Sequence, residues 1–253
     1  MPRRRWAAGL GCVIALFAAA SGAPVAAQAL AVTAEVSVAR PGSGGHQRGA
    51  AAYRTNESEV VVWLTPLDAS APPDPANSAA AKTPELVQRN KSFEPHILVV
   101  QVGSLIQFPN KDPFFHNIFS MYDGKRFDLG LYEAGTSRSV RFDRPGVSYL
   151  FCNIHAEMSA VVVVVDTPYF AMSDRAGHLS IPDVPDGRYQ MHVWYERSLP
   201  ENLKEMSRAV TISEKARSLG AIRVVDNPNF TLAHKNKYGE DYVPPPTEGY
   251  QHP

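Results

Sequence analysis

Apolar and polar positions alternate along this chain in short runs of strand length, separated by turns built from Gly, Pro and Asp. Ala31 to Val38 alternates as a half-buried strand does, and Ser58 to Leu64 predicts a second. His96 to Val102 and Ser104 to Phe108 read as strands joined at Gly103. Phe127 to Tyr132 and Ser137 to Phe142 follow, each running into a turn, Glu133-Ala-Gly135 and Asp143-Arg-Pro-Gly146. Val147 to Phe151 and Met158 to Val165 then flank a tight loop. Such regular spacing of short strands predicts an all-β sandwich.

Beyond Val165 the pattern starts afresh. Turns at Asp174-Arg-Ala-Gly177 and Pro185-Asp-Gly187 separate alternating runs between Tyr169 and Trp194, and Ser207 to Ser213 and Leu219 to Val225 supply two more strands. A small second β-sandwich module over 167–226 is expected. Val-Val-Asp166-Thr-Pro168-Tyr-Phe170 is echoed by Val-Val-Asp226-Asn-Pro228-Asn-Phe230, marking where the last strand of each body exits. The tail 227–253, with Val243-Pro-Pro-Pro246, has loop composition; it either folds over the module or stays mobile. The stretch 68–84, rich in Pro, Ala and small polar residues, reads as a surface excursion within the first domain, 28–166, because the two strands before it have too little apolar surface to stand alone.

Charge changes the picture little. Lys plus Arg and Asp plus Glu are equal at 25 each, which argues against nucleic-acid binding. Arg3-Arg4-Arg5, an apolar run from Trp6 to Ala20 and Val25-Ala26-Ala27 before Gln28 make residues 1–27 a secretory signal peptide. The competing reading is a membrane anchor, against which the shortness of the apolar run weighs. Cleavage removes three cations and no acids, so 22 basic groups face 25 acidic ones in an exported chain that no longer spans a membrane. The leading arginines resemble a twin-arginine signal only faintly.

The cysteines carry more. Cys12 leaves with the signal peptide, so Cys152 is the single thiol of an exported protein, and an unpaired cysteine outside the reducing cytosol asks for an explanation. It sits in Cys152-Asn-Ile-His155-Ala-Glu-Met158, with His116 36 residues upstream in Pro113-Phe-Phe-His116-Asn117. One thiolate, two imidazoles and a thioether are the donor set of a mononuclear blue-copper site, trigonal His₂Cys with a long axial Met. Three donors within seven residues cannot come from a straight strand, whose side chains alternate between faces, so they need a loop curling about one point. Zinc competes for one Cys and two His, but the thioether of Met158 selects the softer metal. Phe114, Phe115, Phe119 and Phe151 are expected mostly in the core, forming a dry shell. His46, His178 and His192 read as surface or packing residues, and His96, in a strand body, is expected away from this pole.

These residues resemble the cupredoxins, the plastocyanin and azurin superfamily. Cys152-x-x-His155-x-x-Met158 is similar to the short ligand loop of the amicyanin type, and Phe93-x-Pro95-x-x-Leu98-x-Val100-x-x-Gly103-x-x-Ile106-x-Phe108-x-Asn110-x-Asp112, then His116-Asn117, is similar to the family's strand, turn, strand and first ligand. The match covers about residues 85 to 166. It implies a Greek-key sandwich, and Asn117 as the residue that ties the two ligand loops together and places a donor near the thiolate. Asp174-x-x-Gly177-x-Leu179-x-Ile181 and Val184-x-x-Gly187-x-Tyr189 resemble a carboxypeptidase-regulatory-like β domain, and the pairing of the two domains resembles bacterial methylamine-utilisation or plastocyanin-like proteins.

The function expected is that of an exported type 1 copper protein: one copper ion held by His116, Cys152, His155 and Met158, cycling between +1 and +2 as a monomeric one-electron carrier between periplasmic redox partners. By the resemblance, His155 is the ligand nearest the surface, with an apolar patch around it receiving a partner. The alternative is a periplasmic copper accessory or storage protein whose second β domain binds a partner or ligand. No acid–base constellation points to a substrate-oxidising enzyme.

Overall fold

The computed structural model describes residues 31–39, 59–68, 83–121 and 124–242. The expected signal peptide, His46 and nearly all of the excursion lie outside them. Among the described residues the chain is all-β apart from one short helix, and no helix is long and apolar enough to cross a membrane.

Two sandwiches are present. The first two strands, β1 (Val32–Ala39) and β2 (Val61–Pro66), belong to one; the nine that follow build the other. That second-in-sequence body starts with a hairpin, β3 (Val87–Arg89) and β4 (Ser92–Glu94), and continues with β5 (Ile97–Gln101), β6 (Leu105–Pro109), β7 (His116–Ser120), β8 (Phe127–Tyr132), β9 (Ser137–Arg141), β10 (Gly146–Phe151) and β11 (Ser159–Val165). Its main sheet has the order β5-β11-β10-β7-β8, so the last strand returns to lie parallel beside the first, a Greek-key return. The facing layer pairs β6 with β9 and is joined to the segment 85–88, which leads into β3, by bridges at Glu85–Gln107 and Gln88–Asn110. Between the layers lie Leu86, Phe93, Ile106, Phe108, Ile118, Phe142, Leu150 and Val162. Cys152 and Met158 are part of this same core.

The other sandwich contains β1 and β2 with β12 (Phe170–Met172), β13 (His178–Ile181), β14 (Gly187–Trp194), β15 (Arg208–Ile212) and β16 (Ser218–Val225). One sheet has the order β13-β1-β16 and the other β12-β2-β14-β15. This corrects the expected boundaries: β1 and β2, placed by sequence in a first domain of 28–166, complete the module formed by 167–226. β1 inserts between β13 and β16, and β2 between β12 and β14. Val32, Val36, Val62 and Leu64 share its core with Leu179, Met191 and Ile222. Without them the C-terminal strands would expose two sheet interiors, so burial drives the non-local pairing.

The bodies meet along β11. Its run of five valines does not alternate in polarity because both faces are covered: Val162 and Val164 enter one core, while Val161, Val163 and Val165 pack with Ile97 against Val61 and Trp194 of the other sandwich. A short helix, α1 (Pro200–Met206), starts with Pro at its first turn, where the missing N–H costs nothing, and buries no residue fully.

Candidate metal centre

Two segments converge at one end of the sandwich built by β3 to β11. His116 is the first residue of β7 rather than part of a loop, and β7 is buried along its whole length. Cys152 follows the last residue of β10. The intervening loop is closed by its own backbone, with Cys152 N–H donating to the Met158 carbonyl at 3.2 Å and Met158 N–H to the His155 carbonyl at 3.2 Å. That curl is the one the donor spacing required.

The thiol sulfur lies 3.7 Å from His116 Nδ1 and 3.6 Å from His155 Nδ1. All three donor atoms fall within 4.8 Å of one another. A sulfur at about 2.3 Å and a nitrogen at about 2.0–2.1 Å from a common metal, at trigonal to tetrahedral angles, stand roughly 3.6–3.8 Å apart. The spacing therefore fits a shared ion. A thiol has one proton to donate and cannot serve two imidazole nitrogens at once. Met158 is fully buried in the adjoining core, and no other Cys, Asp or Glu joins the cluster among the described residues.

The surroundings fix the ligands' protonation. His116 Nε2 lies 2.8 Å from Asp112 Oδ2, and a carboxylate can only accept, so Nε2 carries a proton, which leaves Nδ1 as the atom that faces the sulfur. Asp112 is itself held by a hairpin turn. Asn90 and Lys91, both at φ 54°, join β3 to β4, and their N–H groups converge on Asp112 at 2.6 and 3.0 Å. Two successive left-handed residues match the twist of a tight hairpin and form a nest for an anion. Burial works against ionisation of Asp112, but the Lys91 N–H, His116 and the Asn90 N–H outweigh it and leave its pKa lowered.

The remaining shifts follow the same competition. For Cys152 burial raises the pKa, yet His116 and the N–H groups of Asn117, Ile154 and His155 overcome it, so the net shift is toward thiolate. For His116 desolvation opposes charge, while Cys152 and Asp112 favour it and prevail. His155 is lowered, first by burial and then by repulsion from His116 and Lys91. Metal binding takes the thiolate and neutral imidazoles, so an ion at this site would displace the second proton that Cys152 and Asp112 favour on His116.

Asn117 was expected to tie the two ligand loops together and place a donor near the thiolate. Its N–H reaches the sulfur, but its side chain donates at 2.6 Å to Asp128 of β8 rather than to the Cys152 loop. Phe119 and Phe151 are buried as expected, whereas Phe115 is 53% and Ile154 45% exposed beside the half-buried His155. Phe114 packs its ring against both histidines, at 5.2 and 5.7 Å between centroids. His96 does not join this group and is bonded instead to Ser159 O and Glu196; His192 stacks on Trp63 and His178 is exposed. Asp112 was read from sequence only as the end of the motif before His116, with no role of its own, and Asp128, Lys237 and Tyr242 were not singled out; an acid four positions before a candidate imidazole ligand was the one available signal.

No protein-family profile and no curated protein matches the chain. Among solved structures, similar ones are cupredoxins. A copper-containing nitrite reductase from Thermus scotoductus SA-01 is 22% identical with a TM-score of 0.32 over 33% of this chain, which spans only 22% of that enzyme. A purple cupredoxin from Nitrosopumilus maritimus is 22% identical at a TM-score of 0.30, covering 32% of this chain and 99% of its own. A variant of amicyanin in the Cu(I) state is 19% identical at a TM-score of 0.32, covering 41% and 98%. These values describe likeness of part of the chain trace; the chemistry rests on the residues above.

Proposed function

We propose that this protein is an exported type 1 copper protein that carries single electrons, with His116, Cys152 and His155 as equatorial ligands of one copper ion and Met158 as the axial one. The observation that carries the reading is the approach of one buried sulfur to two imidazole Nδ1 atoms from separate segments, 3.7 and 3.6 Å away. The thioether in the adjoining core favours copper over zinc. Bound there, copper would supply a one-electron couple. The chain's part is to keep the donors where both oxidation states accept them: β7 and β10 are hydrogen-bonded neighbours, Asp112 holds the His116 ring, and the core around Cys152 and Met158 excludes water. His155, half-buried among Phe114, Phe115 and Ile154, is the port through which a periplasmic redox partner would dock in a small, transient contact. The protein is a carrier rather than an enzyme on this reading and acts as a monomer.

A copper accessory or storage role, with the second sandwich binding a partner, is the competing reading. A reversible one-electron wave in voltammetry with rapid self-exchange is expected of the carrier; copper handed to an apo-acceptor without such a wave would favour the accessory.

A further inference from the structure

The tail was expected either over the second sandwich or free. Instead, its described part, residues 227–242, runs from one sandwich to the metal centre of the other. It starts anchored where β16 ends. Asp226, buried, accepts from Arg197 Nε at 2.8 Å, Asn227 N–H donates to the Arg197 carbonyl at 2.7 Å, and the Arg197 guanidinium lies over Phe230 at 5.6 Å. The tail then crosses the flank of β10. Residues 230–234 face Tyr149 and Phe151 across a cavity of about 370 Å³, and the His234 ring in its lining meets the Phe151 ring at a tilt, with centroids 3.9 Å apart.

Beyond His234 the tail becomes part of the site. Asn236 organises a turn, its Oδ1 accepting from Tyr238 N–H at 2.9 Å and Glu240 N–H at 3.0 Å. The turn leaves Tyr238 exposed and points Lys237 inward. Lys237 N–H donates to Asn153 Oδ1 at 2.9 Å, inside the ligand loop, and Lys237 Nζ pairs with Asp128 Oδ2 at 2.7 Å. Asp128 is also the acceptor for Asn117, whose own N–H reaches the sulfur. Tyr242 O–H donates at 2.6 Å to the carbonyl of Cys152 itself. A carbonyl has no proton to give, so the Tyr242 proton is committed there, and His234 Nδ1, 3.2 Å from the same oxygen and 3.1 Å from the Lys235 carbonyl, must be the protonated nitrogen. One segment thus grips both ligand-bearing strands, one through Asp128 and Asn117, the other at Asn153 and Cys152.

We propose that residues 234–242 form a strap belonging to the metal centre, with Tyr242 and Lys237 as positioning residues that fix the Cys152 sulfur relative to His116, and that delivering this strap is what the second sandwich contributes to the copper site. The proposal rests on the copper reading above. It gives the attached β module a task at the metal centre. Hydrogen bonds at this remove from a metal typically alter affinity by about 10–100-fold when lost.

The test compares the full chain with Tyr242→Phe, Lys237→Met, the double variant and Lys237→Arg, each loaded with Cu(II). The readouts are the thiolate-to-copper absorption, the reduction potential and the rate of copper loss to a chelator. Tyr242→Phe and Lys237→Met should each shift the potential and the absorption maximum and speed copper loss about tenfold, the double variant should exceed both, and Lys237→Arg should return toward the original values. A coloured parent protein whose variants keep its spectrum, potential and copper-loss rate would overturn the strap while leaving the copper reading in place. A parent protein without the thiolate band would remove the copper reading, and the strap's role with it.

Discussion

His116 is held at both ring nitrogens, Nε2 donating to Asp112 and Nδ1 facing the Cys152 sulfur, which makes it the most constrained candidate donor in the site. Replacing Asp112 by Asn keeps the shape but removes the charge that its backbone nest was built for. Copper affinity should fall about 10–100-fold, measured by competition with a chelator. Cys152→Ser should abolish the intense visible absorption altogether, and His116→Ala should weaken copper retention. Met158→Leu should leave copper bound at an altered potential; an unchanged potential and spectrum would refute the axial assignment. That Cys152, His155 and His116 come together was legible in the sequence because loop spacing restricts which side chains can meet. Asp112 was not, since its role depends on the Asn90-Lys91 turn of a different hairpin delivering two N–H groups to it.

At the scale of elements, alternation announced most strands but not their partners. β1 shows the alternation of a strand with one buried face, yet nothing in its residues says that Val36 lies opposite Ile222 across the whole length of the intervening sandwich. That is why both N-terminal strands were assigned to the nearer body. Their true place makes a distinguishing expectation: Leu64→Ala on β2, fully buried in the core of the second sandwich, should cost about 2–5 kcal/mol in its unfolding transition while the copper absorption persists. Simultaneous loss of both would mean that the two sandwiches unfold as one. β7 escaped notice for the opposite reason: five buried residues in a row carry no period to read. α1, with no fully buried side chain, left no helical stripe.

For the whole molecule, the joint between the sandwiches carries both apolar and ionic contacts. Beside the valines of β11, His96 lies 3.1 Å from the Ser159 carbonyl and 2.8 Å from Glu196 of the other body. Both partners are acceptors, so both ring nitrogens donate and the ring is held as imidazolium. The Glu196 hydrogen bond is the main cause of its raised pKa, opposed by burial and supported by the charges of Glu196 and Glu59. A raised folded-state pKa means that this stabilisation is complete below about pH 6.5, the unfolded value, and is lost as pH climbs through the folded value. Denaturant unfolding followed across that interval should weaken with rising pH in the parent and change less in His96→Gln; equal slopes would refute the latch. The tail's path was beyond sequence reading for a similar reason, because Lys237 and Tyr242 act through a loop amide, a carboxylate and a backbone carbonyl that show no pattern along the chain.

The most direct test is titration of the metal-free protein with Cu(II) under anaerobic conditions, followed by visible absorption and repeated on Cys152→Ser. One equivalent should develop an intense thiolate-to-copper band that the serine variant lacks. Saturation without that band, or an identical spectrum from the variant, would contradict a copper ion held by the sulfur of residue 152.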